Sequence, residues 1–555
     1  MKLKFILIAI ILLGAFFRFY GLYWDQTMHL HPDERFLSMV SNDMRLPNSF
    51  FTYLNPQLST FNPPNFGFDF FVYGMLPLTF NKILAIFFST DNYFDLTIQG
   101  RILSGFFDLL IVLLIFKSVE LFEKAYKFDG KIKYWGAFLY ATAVLPIQLS
   151  HFFLVDTFLN FFLFASFYTM LLFYFKGKVP YLLLSAVFLG CAFATKVTSF
   201  FLLPLLLFFF FSFFWKKHSQ KKHDKLIHAF ILLFVFGYLC YFIARVTDPY
   251  LFANSNFFDL RISPHWIENL KKLQSYAKVD TWALPPSVQW IHKTPVLFSL
   301  KNIIVFGVGI PFFICLLVGV ISFIKKHLTF TLICIWMLLY FLYQSIQVSQ
   351  PMRYFLPLYP FFAIIAAFGI TTLTNKWKQH FLIIPILILL IWPLMFFSIY
   401  TKPHSRIVAT KWIQDNISND HIILGEHWDD ALPIGGIAGN GPEKKYSIEL
   451  LPVFGPDTPE KWTEMDQLLA KGDYLILSSN RGWGSIPTAS ERYPRMTKFY
   501  EDLFAGKLEF KQIKEFSSYP SLAYLGIPLT LPDQWADESF TVYDHPLVMI
   551  FEKKK

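Results

Sequence analysis

Charge is scarce in this chain. Only 16% of its 555 residues are Asp, Glu, Lys or Arg, while 55% are hydrophobic and 20% aromatic. A soluble chain carries about a quarter charged residues, so the balance, with a mean hydropathy of +0.44, excludes a soluble protein and indicates a polytopic membrane protein. Cysteine is also scarce. The four cysteines, Cys191, Cys240, Cys315 and Cys334, fall inside apolar runs without metal-ligand spacing, which argues for reduced packing residues. The first apolar run, Phe5–Phe19, lacks a small-residue cleavage site and reads as an uncleaved span. There is no repeat at a fixed period and no low-complexity tract. The net charge of +10 does not point to nucleic acid, because the lysines cluster between apolar runs, as the positive-inside rule expects.

Those clusters set an expected topology of eleven spans. Lys2 and Lys4 place the N-terminus inside. The other inside loops carry Lys117, Lys124, Lys127, Lys131 and Lys133; then Lys176 and Lys178; then Lys216, Lys217, Lys221, Lys222 and Lys225; then Lys325 and Lys326; and last Lys376 and Lys378. Residues 71–88 are apolar but interrupted by Pro77, Asn81 and Lys82, and read as re-entrant or surface-lying. The fold class expected is a mainly α polytopic membrane protein with a C-terminal extracytoplasmic α/β domain. Residues 1–400 form the transmembrane catalytic module, with outer loops 21–97 and 245–297, and residues 401–555 form the soluble domain. In that tail, 408–417 and 496–505 read as helices, and 421–424, 474–477 and 547–551 as strands.

The informative stretch is His31-Pro32-Asp33-Glu34-Arg35, just after span 1. Pro32 suits the first turn of a helix, and the two acids suit its positive end. Phe36, Val40 and Met44 then recur at helical spacing, which predicts an amphipathic helix on the membrane surface. The expected topology puts Asp33, Glu34, Arg35, Asp156, Lys196, Asp248 and Arg353 at the outer ends of spans. Ionisable groups there are costly unless they face water or do chemistry. Acids together with Arg and Lys at one membrane face suit a phosphate-bearing lipid attacked by a hydroxyl. A carboxylate takes the hydroxyl proton, and Arg or Lys holds the leaving phosphate. The structural alternatives are snorkelling for Lys196 and Arg353, a helix cap for Asp156, and an internal ion pair for Arg101.

An acidic pair after span 1, an acid in the second outer loop and the segment Arg353-Tyr354-Phe355-Leu356-Pro357-Leu358-Tyr359-Pro360 resemble the GT-C glycosyltransferases. The branch most similar is family 39, the protein O-mannosyltransferases and the relatives that transfer aminoarabinose to lipid A. Arg101 downstream of Asn62-Pro63-Pro64, the segment Ala194-Thr195-Lys196, and the tail segments His427–Pro433 and Tyr543–Pro546 also resemble that branch. The resemblance implies a membrane hexosyltransferase in the plasma membrane, with a polyprenyl-phosphate sugar donor, an inverting single displacement, and a protein, lipid or glycan acceptor. It implies Asp33 as general base, Glu34 as the group orienting base or acceptor, and Asp156, Arg353, Lys196, Arg101, Arg35 and Tyr354 as substrate contacts. Some relatives carry Lys before the Pro-Pro pair where this chain has Asn62, so the resemblance does not carry over that phosphate or metal contact. A divalent metal is left open, with Asp156 and His151 as candidate ligands and His29 and His31 nearby. The rival readings are a lipid-linked-sugar transporter, which would carry midplane charges and inverted repeats, and a non-catalytic envelope assembly protein.

Overall fold

The computed structural model describes residues 2–216, 222–276, 285–323, 327–435 and 445–554. The inside lysines Lys217, Lys221, Lys325 and Lys326, and residues 277–284 of the second outer loop, lie outside the described residues.

Among the described residues, seven helices are long and apolar enough to cross a membrane: Tyr93–Tyr126, Val155–Lys176, Val197–Trp215, Leu226–Thr247, Leu328–Ser345, Met352–Thr374 and a segment beginning at His380. An eighth is reached by counting the pair Leu297–Val308 and Ile310–Ser322, which bends by 113° at Gly309. Eleven is therefore not the count that length and composition support. The difference lies in segments too short for the full thickness. Phe5–Phe19, Leu76–Phe88 and Val179–Phe193 are shorter apolar helices. The third expected span is two pieces, Ile132–Ala141 and Val144–Ser150. A span of about 20 residues crosses about 30 Å of hydrocarbon, so these pieces rely on their neighbours. Phe5–Phe19 is held by an internal charge pair, Arg18 to Asp108 at 2.7 Å, with the Tyr140 hydroxyl donating to the same carboxylate at 2.5 Å.

The Pro32–Asp43 helix forms where the acidic stretch predicts it, with the His31 imidazole accepting from the Glu34 N–H at 3.4 Å. It is not laid on a membrane surface. Leu37, Val40 and Met44 are fully buried, in a cluster with Phe61, Phe71, Leu78, Leu103, Phe153 and Tyr250. The apolar stripe is real, but protein covers it.

The tail carries one five-stranded sheet, order β2-β1-β3-β5-β4, from β1 (Ile422–Glu426), β2 (Ser447–Leu451), β3 (Tyr474–Leu477), β4 (Phe510–Phe516) and β5 (Val548–Lys553). β1 runs parallel to β2 and β3, and β5 antiparallel to β3 and β4. The side-chain period of two divides the sheet. Ile423, Ile476, Val548 and Ile550 join the core that continues into the membrane helices. Leu424, Leu475, Leu477, Met549 and Phe551 pack with residues of the helices Pro459–Lys471 and Pro494–Phe504. One face of the tail is thus seated on the bundle.

Candidate active site

Four of the residues singled out in the sequence line one cavity of about 540 Å³: Asp156, Lys196, Arg353 and Tyr354. Asp33 reaches it from the first turn of the Pro32–Asp43 helix through an ion pair with Arg353. Lys196 pairs with Asp156 at 2.7 Å and sits 4.9 Å over the Tyr354 ring. The Arg353 guanidinium is 5.7 Å from the same ring. Tyr354 is a spacer between the two cations, and its carbonyl accepts from the Tyr340 hydroxyl at 2.9 Å. The Nε of Arg353 is buried with no hydrogen-bond partner, a donor left over for something else. The rest of the lining is largely apolar and aromatic, including Leu159, Leu270, Leu273, Tyr343 and Trp290.

The local chain explains this gathering. Lys196 ends a tight turn whose carbonyls, Ala194 and Thr195, accept from the Leu76 and Gly74 N–H groups at 3.0 Å each. A side chain on Gly74 would place its Cβ 2.2 Å from the Ala194 oxygen, so only glycine allows the approach. That contact sets Tyr73 beside the cavity, where its phenol feels Asp33, Arg353 and Asp156. Tyr73 was not legible as a site residue; it is one aromatic in a stretch full of them, and only the pinning of Gly74 selects it.

Asp33 is pulled two ways. Burial pushes its carboxyl up, and the Arg353 guanidinium, aided by His31 and Lys196, more than offsets this and holds it at about 2. It is ionised throughout the physiological range.

Glu34 points the other way, into a fully buried cluster. Arg101 grips Asp25 with two bonds (2.9 and 2.8 Å) and Glu34 with two (2.9 and 2.5 Å), and donates to the Leu22 carbonyl at 2.5 Å. Glu34 also accepts the Phe153 N–H at 2.7 Å. All five guanidinium donors are spent inside the protein: the internal ion pair weighed for Arg101 forms, and no donor is left over for the substrate contact that the resemblance implies. Burial pushes the Glu34 carboxyl up against the pull of Arg101, whereas Arg101 holds Asp25 low in spite of burial.

Arg35 turns to the tail, not to the Asp33 cavity. It donates to Asp430 at 2.9 Å and to the His29 carbonyl at 2.8 Å, and Arg406 bonds Asp430 and Asp429 at 3.0 and 2.6 Å. The second tail segment converges on the same helix. Tyr543 lies 4.2 Å from the His31 ring. Asp544 accepts from Gln148 at 3.1 Å and Tyr400 at 2.9 Å, while His545 bridges Asp544 and Asp533 at 2.5 and 2.8 Å.

A metal set from Asp156 and His151 does not form. The two ring nitrogens of His151 face the Ile147 and Tyr20 carbonyls at 2.8 and 2.9 Å, and one oxygen of Asp156 is taken by Lys196. Among the described residues, no three His, Cys, Asp or Glu side chains gather as ligands.

The chain combines apolar spans, a small C-terminal sheet domain and charged side chains around a largely apolar cavity, and comparison with known proteins finds the same fold in solved structures. Residues 82–241 match the family model described as dolichyl-phosphate-mannose-protein mannosyltransferase. The oligosaccharyltransferase of Archaeoglobus fulgidus in the apo form is similar at 14% identity and TM-score 0.53, over 99% of this chain and 88% of that one. The same enzyme, AglB, in complex with an inhibitory peptide and a dolichol-phosphate is similar at 14% identity and TM-score 0.51, with the same coverage. ArnT from Cupriavidus metallidurans aligns at 12% identity and TM-score 0.45, over 99% of this chain and 98% of that one. No curated protein matches the chain by sequence.

Proposed function

We propose that the protein transfers a sugar, mannose or similar, from a polyprenyl-phosphate carrier to an acceptor hydroxyl of a protein, lipid or glycan. Transfer takes place at the outer face of the plasma membrane, by inverting single displacement. The observation that carries this reading is the pairing of two carboxylates with two cations around one apolar cavity, Asp33 with Arg353 and Asp156 with Lys196. The family model's dolichyl-phosphate-mannose chemistry and the dolichol-phosphate bound to AglB support a lipid phosphate as the donor.

In this reading Lys196 and Arg353 take the donor phosphate, and the apolar walls take the first isoprene units. Arg353 is shared between phosphate and Asp33. As the phosphate draws the guanidinium away, the Asp33 carboxylate loses the partner that keeps it a weak base. It then accepts the proton of the acceptor hydroxyl while the hydroxyl oxygen bonds the anomeric carbon on the face opposite the departing phosphate. Asp156 keeps the Lys196 ammonium aimed. Glu34 acts through Arg101, by holding the helix. Residues 1–400 carry the chemistry, and residues 401–555 form the extracytoplasmic domain that buttresses it, with the N-terminus cytoplasmic.

The test is binding of undecaprenyl phosphate to the purified full chain in nanodiscs. Wild type binds saturably. Lys196→Gln and Arg353→Gln each lose a charge-assisted hydrogen bond, about 1.5–3 kcal/mol, so each binds about 10–100-fold more weakly. Equal binding by wild type and both variants would remove the phosphate site from this cavity.

A further inference from the structure

A second cavity, of about 360 Å³, lies beside the first, with Tyr73 in the wall of both. Its lining differs in kind. Where the first is apolar with two cations, the second holds the amides of Asn62, Asn65 and Asn269, the carboxyl of Asp248, and the rings of Tyr250 and Trp266. Among the described residues no Lys or Arg lines it, and the one histidine, His265, is engaged with the Asp69 carbonyl at 2.7 Å. Two groups there stand out: one has no hydrogen-bond partner, and the other is a buried carboxyl without a counter-ion. The indole N–H of Trp266 is buried with no partner. Asp248 is 1% exposed and accepts from the Met75 N–H at 3.0 Å, yet no cation pairs with it. Burial pushes its carboxyl up to about 7, with the Met75 and Tyr250 N–H groups opposing. A buried acid without a cation is expensive unless a ligand uses it.

We propose that this second cavity is a subsite for a neutral sugar ring, with Asp248 and the three amides bonding its hydroxyls and the aromatic rings packing its C–H faces. Vicinal hydroxyls donate to the amide oxygens and the carboxyl, while the amide N–H groups of Asn62, Asn65 and Asn269 are held by the backbone carbonyls of Pro56, Ser59, Asp69 and Phe71. Pyranose faces are apolar, as tyrosine and tryptophan rings are. Anionic ligands are disfavoured because no cation answers them and Asp248 repels them. An apolar tail is disfavoured by the amide lining. The cavity meets the proposed transfer site at Tyr73, so the ring belongs either to the sugar being transferred or to a saccharide acceptor. The chemistry that recognises it is the same. The placement relative to the reaction rests on the transferase reading; the binding itself does not.

The experiment is saturation-transfer NMR on the full chain in nanodiscs, with a panel of neutral methyl hexo- and pentopyranosides, and with methyl glucuronoside as the anionic probe. At least one neutral glycoside gives a saturable signal and methyl glucuronoside gives none. Asp248→Asn weakens binding about tenfold, and Trp266→Phe, which keeps the ring and deletes only the N–H, about three- to tenfold. Adding a polyprenyl-phosphate hexose then sorts the source. Loss of the glycoside signal assigns the subsite to the transferred sugar; persistence assigns it to the acceptor. No binding by any neutral glycoside, equal binding of the glucuronoside, or binding indifferent to both substitutions overturns the proposal. A chain that binds the glycoside but transfers nothing leaves the subsite standing and sinks the transferase reading; a chain that transfers but binds none does the reverse.

Discussion

Asp33 owes its low pKa chiefly to one neighbour, Arg353, and that dependence is measurable. Burial alone would raise its pKa; the Arg353 guanidinium lowers it to about 2. A depressed carboxyl pKa leaves the ionised form populated at every pH above it. Transfer by the wild type, read as kcat/KM, is therefore flat from pH 5 to 8 as far as this group is concerned. In Arg353→Gln burial is unopposed by its main partner, so the pKa moves up and an acidic limb enters the profile. The variant is slower throughout and loses further activity as pH falls from 7 to 5. Parallel profiles for the two proteins would contradict the assignment. At this scale the sequence was informative about which residues meet, and less so about which way they face. Asp156, Lys196, Arg353 and Tyr354 line the cavity, and Asp33 meets it through Arg353. Glu34 and Arg35 are one and two positions from Asp33, and a helix sends neighbours in different directions, so one enters a buried cluster and the other meets the tail. For Arg101 the internal ion pair weighed from the sequence is what forms, with Glu34 and Asp25 as its partners. Asp25, the second of them, lies in a turn with no pattern to mark it.

Among the elements, the tail stretch 533–545 touches the proposed site at two points. Asp537 accepts the Met352 N–H at 2.8 Å, one residue before Arg353, and its own N–H bonds Asn302 at 2.8 Å. Tyr543, six residues on, packs on His31, the cap of the helix bearing Asp33. One short segment thus bears on both ends of the Asp33–Arg353 pair. Asp537→Ala removes the acceptor of a buried N–H, a loss of about 1–3 kcal/mol. The expected outcome is a KM for the lipid donor raised about 5–30-fold with a smaller change in kcat. Asp537→Asn, which keeps an acceptor oxygen, recovers most of it. Equal loss in both variants, or a fall in kcat alone, would mean that Asp537 does not act through Arg353. The sequence marked Tyr543–Pro546 but not Asp537, because a lone Asp before Glu538 carries no pattern. The inner strands β1, β3 and β5 were legible as apolar runs. The outer strands β2 and β4 were not, since most of their residues are exposed and charged or polar side chains interrupt them. An edge strand needs no second apolar face.

For the whole molecule, the lysine pattern still predicts which side each loop faces, although fewer segments reach full span length than the hydropathy suggests. Short apolar helices packed on longer neighbours look, in sequence alone, like independent crossings. Single cysteines introduced in intact cells test the orientation. Trp428→Cys, in the tail, is expected to react with a membrane-impermeant maleimide from outside, and Lys378→Cys only after permeabilisation. The reverse pattern would invert the molecule and move the Asp33 cavity to the cytoplasmic side. The four native thiols lie within apolar helices and give a low background. The central claim is catalytic, and the most direct test is sugar transfer in membranes from a radiolabelled panel of polyprenyl-phosphate sugars, wild type against Asp33→Asn. Asparagine keeps the shape of the side chain and removes the base. The account predicts that wild type uses at least one donor and that Asp33→Asn loses about a hundredfold or more of that rate at unchanged expression. Equal transfer by the two proteins, or no transfer by wild type from any donor in the panel, would contradict it.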